Sequence, residues 1–337
     1  MECRLIIPKR NAGNTAVTSF YMELIKKSIE KTGRTCTVSD VDFNGNKKED
    51  FIIVDDIFRA LSVIKKGYKN IIIWVQGIIP EESYMRNNSK LRYFILNLLE
   101  KFVLKKVKFV FFCSDEMKKH YEKKYNMNFK NYYIMPCFNE NEINHSAFDY
   151  VNKFKENTFL YVGSIKEWQC FEETIELYKK IEDTSEEDTK LFVFTGQQDE
   201  ALEIIEKHKL KNYEVSYAKK EELNEKIKNC KYGFVIRKDN AVNNVATPTK
   251  FSNYISNGII PIYSSCIKDF SNIDSKYQLG VIYDLDEKEE GLQSILNHMS
   301  LSIKREMIIT KCKNIFKNYY NDEKYIEEIS KIIECIF

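Results

Sequence analysis

Two cations near predicted strand and helix ends could together bind a diphosphate. Arg237 follows an apolar run typical of a strand, and Lys250 stands in the sequence Thr-Pro-Thr-Lys. In that sequence Thr247 predicts an N-cap, Pro248 predicts the first helical position, and Gly258 predicts the helix end. A lone cation in the first helical turn is mildly unfavourable, but an anion sharing the free N–H groups makes it favourable. A lysine that is merely solvated remains the alternative.

Alternating apolar runs and helical stripes predict the elements that would position these cations. Strands are predicted at Leu5–Ile7, Phe51–Val54, Ile71–Val75, Phe109–Cys113, Tyr132–Met135, Phe159–Val162, Leu191–Phe194, Tyr232–Ile236 and Ile259–Tyr263. Helices of the second half are predicted at Phe171–Ile181, Glu200–Lys209, Glu221–Asn229 and Pro248–Asn257. Short, continuous apolar strands are typical of parallel sheets covered on both faces. The predicted fold class is therefore α/β, with two Rossmann-like domains facing a cleft and ligands at the carboxyl ends of the strands.

Length and charge predict how the chain divides. The 337 residues exceed a single small core, and a polar stretch at 150–157 predicts a boundary. The expected parts are an acceptor-binding domain at 1–155, a donor-binding domain at 156–310 and a helical segment at 311–337 that packs back on the first domain. Residues 1–155 hold 27 Lys and Arg against 18 Asp and Glu. This excess suits acidic lipid or a phosphate-bearing acceptor, although the charge alone favours the simpler explanation that Lys-rich helices solvate this part of the chain.

Several function classes lack their sequence signatures. The Gly-rich dinucleotide fingerprint and the Walker lysine are absent, which disfavours a nicotinamide oxidoreductase and a P-loop enzyme. The charge balance lacks the strong basic excess of nucleic-acid-binding proteins. The nine cysteines form no CxxC pair and lie largely in apolar runs, which indicates free thiols in a reducing compartment. With no signal-peptide pattern at the N-terminus and no apolar run approaching the ~18 residues of a membrane span, we expect a cytoplasmic protein.

Motifs in both halves carry a resemblance to a known family. The second half contains Phe-Leu-Tyr-Val-Gly-Ser at 159–164, Trp168, Phe-Thr-Gly at 194–196, and Arg237 to Ile262 close to R-x-D … V-A-x-P-x-K-F-x-E-Y-x-x-x-G-x-x-P-I. The first half contains Trp-Val-Gln-Gly-Ile-Ile-Pro-Glu-Glu-Ser at 74–83. With these motifs the chain resembles nucleotide-sugar-dependent glycosyltransferases of family 4, which have the GT-B fold. It is similar in particular to those that assemble bacterial capsules, exopolysaccharides and other surface glycans.

This resemblance implies a site and a mechanism. Arg237 and Lys250 match the basic pair that holds the donor diphosphate and are the expected catalytic residues. The mechanism would be a retaining, front-face transfer without metal or cofactor, from a donor expected to be UDP-linked to a glycan or lipid-linked glycan. The residues expected to bind the donor are Gly163, Ser164, Gly196, Arg237, Thr247, Thr249, Lys250 and Asn253.

Three positions depart from the family pattern. Asn253 stands where a glutamate often accepts the hydroxyls of the donor ribose, so one acceptor oxygen and the charge are lost. Gln169 replaces a lysine after the glycine turn, and Gln76 replaces a histidine of the first domain. These departures leave open an alternative function, a catalytically inactive nucleotide-sugar-binding protein or a regulatory partner of a transferase.

Acceptor binding is expected from the first domain. The loop at 8–14 offers Arg10 and Gly13, and the segment after a later strand offers Gln76, Gly77 and Glu81. The helix expected from Ser89 to about Lys106 has an apolar stripe with lysines elsewhere. The stripe is typical of a packed core helix, but it also suits peripheral contact with anionic lipid on the inner face of the cell membrane.

Overall fold

The computed structural model describes residues 2–6, 15–39 and 43–336. Its first part alternates strands with helices in the order β1 (Cys3–Ile6), α1 (Thr15–Lys31), β2 (Cys36–Ser39), β3 (Phe51–Val54), α2 (Ile57–Lys65), β4 (Asn70–Val75), α3 (Ile79–Asn87), α4 (Lys90–Lys106), β5 (Phe109–Phe112), α5 (Asp115–Tyr125) and β6 (Tyr132–Ile134). All six strands form one parallel sheet in the order β2-β1-β3-β4-β5-β6.

The second part repeats the alternation. It contains β7 (Asn157–Val162), α6 (Phe171–Thr184), β8 (Thr189–Phe194), α7 (Gln198–Lys207), β9 (Tyr213–Ser216), α8 (Lys220–Ile227), β10 (Tyr232–Val235), α9 (Ala241–Asn244), α10 (Lys250–Ser256), β11 (Ile260–Tyr263), α11 (Lys268–Tyr277), β12 (Val281–Ile282), α12 (Lys288–Met299), α13 (Arg305–Asn318) and α14 (Asp322–Ile336). Its sheet is also parallel, in the order β12-β11-β10-β7-β8-β9. Two parallel sheets flanked by helices confirm the predicted α/β class.

Burial explains why these strands were visible in the sequence. Every residue of β3, β4 and β5 is buried, as expected for strands covered on both faces. The strands that the sequence did not predict are β2, β9 and β12, which lie at or near sheet edges. Half-exposed edge strands such as the Cys-Thr-Val-Ser of β2 need no continuous apolar run.

The chain forms two compact units. The first runs up to Asn139 and also takes residues 244–247 and the chain from Asn321 onward; the second takes 140–243 and 248–320. The units therefore divide the chain at different positions from the predicted bounds of 1–155, 156–310 and 311–337. Within the first unit α14 packs on α1, where Lys31 pairs with Glu327 and the ring centroids of Phe138 and Tyr325 lie 5.8 Å apart.

The predicted helix from Ser89 is present, but its apolar stripe faces outward instead of into the core. The helix from Ser89 is confirmed as α4, and the Ser89 Oγ accepts a hydrogen bond from the Arg92 N–H at 3.3 Å. The apolar stripe expected in the core is nevertheless exposed, while Leu96, Glu100 and Val103 point inward. A buried carboxylate with three polar partners holds the helix by its mixed face, so the core interpretation of the stripe is wrong.

Candidate functional site

The carboxyl edge of the second sheet has a topological switch point. From β7 the chain builds β8 and β9 on one side, and it then returns to build β10, β11 and β12 on the other. Crevices open at such a point in doubly wound sheets, and ligands bind there. Gly163 follows β7 directly, and Arg237 follows β10. The two neighbouring strands therefore bring both predicted residues to the same end of the sheet.

Arg237 is fixed and buried at this edge. Only 5% of its surface is exposed. Its backbone N–H donates to the Ser264 Oγ at 3.1 Å, and its Nη1 donates to the Ile236 and Gln169 carbonyls at 2.8 and 3.1 Å. Its Nη2 donates to the Gln169 Oε1 at 2.7 Å. The guanidinium is thus held by neutral acceptors and cannot move away when an anion approaches.

Lys250 meets the same amide oxygen. It is the first residue of α10, and its Nζ donates to the Gln169 Oε1 at 2.8 Å while lying 4.5 Å from the centre of the Tyr161 ring. Gly163 makes room for it, because a Cβ at this glycine would lie 3.0 Å from the Lys250 Cε. With φ at +137°, the glycine backbone is also in a region that L side chains rarely adopt. Gly163 therefore leaves the space that the Lys250 side chain occupies.

The electrostatics of this cluster favour an anion. Burial lowers the pKa of Arg237, and burial together with the charge of Arg237 lowers the pKa of Lys250. Among the described residues no carboxylate pairs with either cation; the nearby Glu173 pairs with Lys238 at 2.5 Å instead. Two partly desolvated positive charges that share one neutral oxygen repel each other, and a bound anion would relieve that cost. We call Arg237 and Lys250 the cation pair, and the side chain of Gln169 the bridging amide.

From the sequence, Gln169 was noticed only because it replaces a lysine of the family pattern. It lies at the end of the short 3₁₀ turn Glu167–Gln169, just before α6. A cation here would have added a third positive charge beside Arg237 and Lys250. The neutral amide instead accepts from both cations, a role that no local sequence pattern reveals.

A cavity of about 270 Å³ adjoins Arg237 at the ends of β10 to β12. The Ser265 N–H donates to the Asp284 Oδ1 at 2.7 Å, which fixes one acid of its wall. Carboxylates accept hydrogen bonds from hydroxyl and ring N–H groups, whereas they repel phosphate. The lining residues, which the sequence did not single out apart from Arg237, are Arg237, Lys238, Asp239, Ser265, Cys266, Asp284, Leu285, Asp286 and Glu287.

The helix start around Lys250 differs from the prediction. The described helix begins at Lys250, and Thr249 occupies the N-cap position without a side-chain cap bond. The Thr247 Oγ1 accepts from the Cys137 N–H at 3.1 Å within the first unit, so Thr247 is not the N-cap. The predicted stop is confirmed, because Gly258 has φ at +63° and its N–H donates to the Ile255 carbonyl. Donor contact by either threonine stays a prediction.

Ser164 and Gly196, which are also predicted to bind the donor, lie at the same carboxyl edge of the second sheet. Ser164 follows Gly163, and its carbonyl accepts from the Tyr161 hydroxyl at 2.7 Å. Gly196 follows β8 and is exposed, and an added Cβ there would meet nothing within 4 Å. Neither contact decides a role in binding, so both assignments stay predictions.

Asn253 has a carboxylate as its partner. Its Nδ2 donates to the Glu140 Oε1 at 3.2 Å, and the Asn224 Nδ2 donates to the same oxygen at 3.2 Å. The Asn257 Nδ2 in turn donates to the Asn224 Oδ1 at 2.9 Å. Burial raises the pKa of Glu140, although the hydrogen bond from Asn224 works against that rise. The acid missing at position 253 is thus present beside it, from a residue 113 positions earlier in the chain.

In the first unit the predicted acceptor residues have protein partners. The Gln76 Nε2 donates to the Asp55 carbonyl at 3.2 Å. A Cβ at Gly77 would lie 2.0 Å from the Glu82 Oε1, so the acid side chain covers that glycine. Glu81 pairs with the Lys124 Nζ at 2.7 Å. Their acceptor contacts stay predictions, and Arg10 and Gly13 lie outside the described residues.

The described residues hold no group of three or more His, Cys, Asp and Glu side chains placed to bind a metal ion. Within the same ranges, none of the helices has the length and apolar character needed to cross a membrane.

Comparison with known proteins gives a fold. No protein-family model matches the chain, and no curated protein matches its sequence. Among solved structures, sucrose-phosphate synthase from Thermosynechococcus elongatus has a TM-score of 0.71 at 11% identity, covering 100% of this chain and 99% of that one. The lipopolysaccharide outer core galactosyltransferase WaaB has a TM-score of 0.67 at 12% identity, with 100% of both chains covered. An E. coli trehalose-6-phosphate protein bound with UDP-2-fluoro glucose has a TM-score of 0.61 at 12% identity, covering 86% of this chain and 74% of that one. The chain therefore has the two-domain, Rossmann-like fold known as GT-B.

Proposed function

We propose that the chain is a nucleotide-sugar-dependent glycosyltransferase whose donor diphosphate binds the cation pair. The observation that carries this proposal is that the buried Arg237 and the half-buried Lys250 share a neutral amide oxygen and have no carboxylate partner among the described residues. The motifs of the second half resemble family 4, and structures of the same fold include a galactosyltransferase and a protein bound with a UDP-sugar. Since that ligand carries UDP, a UDP-linked donor is the first to test.

The proposed transfer is retaining and needs no metal. The bond from the anomeric carbon to the diphosphate oxygen breaks, and the acceptor hydroxyl oxygen bonds to that carbon on the same face. The hydroxyl proton passes to the departing phosphate, and the nucleoside diphosphate leaves. Arg237 and Lys250 would stabilise the charge that develops on the leaving group, and their fixed positions cost no reorganisation. No cofactor takes part.

Glu140 would complete donor recognition. Its Oε1 receives two amide hydrogen bonds, one of them from Asn253, a single helical turn beyond Lys250. Asn253 and Lys250 belong to the same helix α10, so a donor whose diphosphate binds the cation pair is proposed to present its ribose hydroxyls to this carboxylate, which can accept hydroxyl hydrogen bonds. We infer that Glu140 does what the family glutamate at position 253 would do.

The acceptor is proposed to be a glycan or lipid-linked glycan of bacterial surface polysaccharide assembly, reached at the inner face of the cell membrane. This part rests on the resemblance and on the basic character of residues 1–155.

Calorimetric titration with UDP and with a panel of nucleotide sugars tests the proposal. Arg237→Ala and Lys250→Ala should each weaken binding at least ~30-fold, since a charged hydrogen-bond partner contributes about 2 kcal/mol or more. Lys190→Ala is the matched control, because Lys190 is a partly exposed cation of the same unit that pairs with Glu214. Unchanged binding in both site variants would refute the site.

The alternative function, an inactive nucleotide-sugar-binding protein, is separated by turnover. With a donor and a panel of lipid-linked glycans, an enzyme releases nucleoside diphosphate and extends one acceptor. Donor binding without sugar transfer to any acceptor of the panel would support the inactive alternative.

A further inference from the structure

Helix α4 is attached to the first unit through a buried carboxylate. Glu100 is fully buried and accepts from the Tyr121 hydroxyl at 3.0 Å and the Tyr125 hydroxyl at 2.6 Å. The Lys124 Nζ lies 3.5 Å from the Glu100 Oε2, the same oxygen that accepts from Tyr125. Leu96 and other apolar residues of the same face pack beside it. The inward face of α4 is therefore already satisfied.

The opposite face of α4 is apolar and exposed. With ~100° of rotation per residue, its apolar side chains fall within an arc roughly 100° wide, on the side away from Glu100. Their exposed fractions are Leu91 71%, Phe94 59%, Ile95 48%, Leu98 55% and Phe102 43%. Single exposed apolar residues are common, but five aligned along one helix form a patch that needs a partner. We call these five residues the outer stripe.

Basic side chains border the outer stripe on both sides. Glu100 is the sole acid in the α4 sequence and is buried, so α4 exposes no acid of its own. A second copy of the chain packed on this stripe would bring like charges together, which disfavours self-association. Anionic lipid satisfies both properties, since headgroups attract the cations while the acyl boundary takes up the apolar side chains. The cations are Lys90, Arg92, Lys101, Lys105 and Lys106.

We propose that the outer stripe docks the chain on an anionic membrane, with α4 lying in the plane of the headgroups. The proposal deepens the proposed function and rests on it for its purpose, because a lipid-linked acceptor would be met at such a surface. The docking surface itself follows from exposure and charge, and its test involves no sugar transfer.

Sedimentation of the full chain with sucrose-loaded vesicles tests the docking surface. The chain should bind vesicles of phosphatidylcholine with phosphatidylglycerol at low salt, and at least ~10-fold more weakly to phosphatidylcholine alone. The double variant Phe94→Ser with Leu98→Ser should lose at least ~10-fold in affinity for the anionic vesicles. Leu301→Ser is the matched control, because Leu301 is 56% exposed in the second unit, outside α4.

Separate outcomes decide between occupants. Unchanged vesicle binding in the double variant, or an equal loss in Leu301→Ser, would overturn the proposal. So would a dimer of the wild-type chain that the double variant dissociates, with no vesicle binding by either, because a second copy would then cover the stripe. UDP titration of the same samples keeps the two proposals apart: vesicle binding without UDP binding would leave the docking surface standing and remove the donor site.

Discussion

Replacing the bridging amide of Gln169 by a carboxylate should both stabilise the fold and weaken donor binding. In Gln169→Glu the new oxygen would stand about where the Gln169 Oε1 now lies, 2.7 Å from the Arg237 Nη2 and 2.8 Å from the Lys250 Nζ. At an effective dielectric constant of ~20, a unit charge at that separation interacts with each cation by roughly 6 kcal/mol before desolvation. Desolvation of the carboxylate cancels most of this, and we expect a net gain of about 2 kcal/mol in the free energy of unfolding.

The same charge should oppose the donor. The net charge of the cluster falls from two to one, and a phosphate ~4 Å from the new carboxylate is repelled by up to ~4 kcal/mol at this dielectric constant. We expect UDP to bind at least ~100-fold more weakly, equivalent to about 2.7 kcal/mol. In thermal unfolding without ligand, the second unit should melt roughly 4–8 °C higher. Stability and binding would thus move in opposite directions.

Calorimetry with UDP and differential scanning calorimetry measure both effects on one protein preparation. Gln293→Glu is the matched control, because Gln293 is exposed on α12 and donates to the Asn297 Oδ1 away from the cluster. If Gln169→Glu bound UDP as tightly as the wild type, the cation pair would not be the diphosphate site. If Gln169→Glu bound UDP more weakly but melted no higher than the wild type, the charges of Arg237 and Lys250 would already be compensated in the free protein.

Four further predictions concern the second unit: one each for Lys250, His298 and Gly163, and one for Asn253 with its partner Glu140. Because burial lowers the pKa of Lys250 and an anion favours its protonated form, UDP affinity should fall as pH rises from 7 towards 10; Lys250→Arg should flatten that profile. Burial lowers the pKa of His298 to about 4, so the wild type should lose up to ~3 kcal/mol of stability relative to His298→Gln as pH falls from about 6.5 to 4, measured by urea unfolding. Gly163→Ala should cost roughly 1–3 kcal/mol in the same assay and displace the lysine, weakening UDP binding. Asn253→Glu should weaken UDP binding, and adding Glu140→Gln should restore it.

Each of these effects has a result that would contradict it. A flat pH profile of UDP affinity in the wild type would mean that Lys250 carries no titrating charge in the site. Equal acid sensitivity of the wild type and His298→Gln would remove the histidine from the pH response; its Nδ1 lies 2.9 Å from the Tyr232 hydroxyl, which suits the neutral ring. Wild-type stability in Gly163→Ala would show that the lysine can shift freely.

The fold was predictable because its strands are buried and continuous. β3 and β4 are buried throughout, and strands of this kind are visible as unbroken apolar runs. Edge strands such as β9 were not predicted, since none of the residues of β9 is buried and they need not be apolar. The outer stripe of α4 misled the prediction for a different reason. Periodicity locates the apolar face of a helix but does not reveal whether a buried acid, here Glu100, anchors the opposite face.

The cations were predictable from strand and helix ends, but their neutral partner was not. Arg237 and Lys250 stand beside motifs that show where a strand stops or a helix starts. Gln169 lies 68 residues before Arg237 and 81 before Lys250, and its role exists only because β7 and β10 are neighbours in the sheet. Contacts of this range follow from topology, which a local pattern does not contain.

Asn253 shows why a missing family residue need not mean a missing function. An asparagine Nδ2 can donate to a carboxylate, whereas an ionised glutamate can only accept. With Glu140 held 3.2 Å from that nitrogen, a glutamate at position 253 would face a second carboxylate, and one of the two would have to stay protonated. The asparagine is therefore the residue that fits a site whose acid comes from position 140. Exchanging the two side chains, Asn253→Glu with Glu140→Gln, keeps one acid and one amide in contact, so donor binding should survive the double substitution better than Asn253→Glu alone. If the double variant bound UDP no better than that single variant, Glu140 would be a structural acid and Asn253 a true loss.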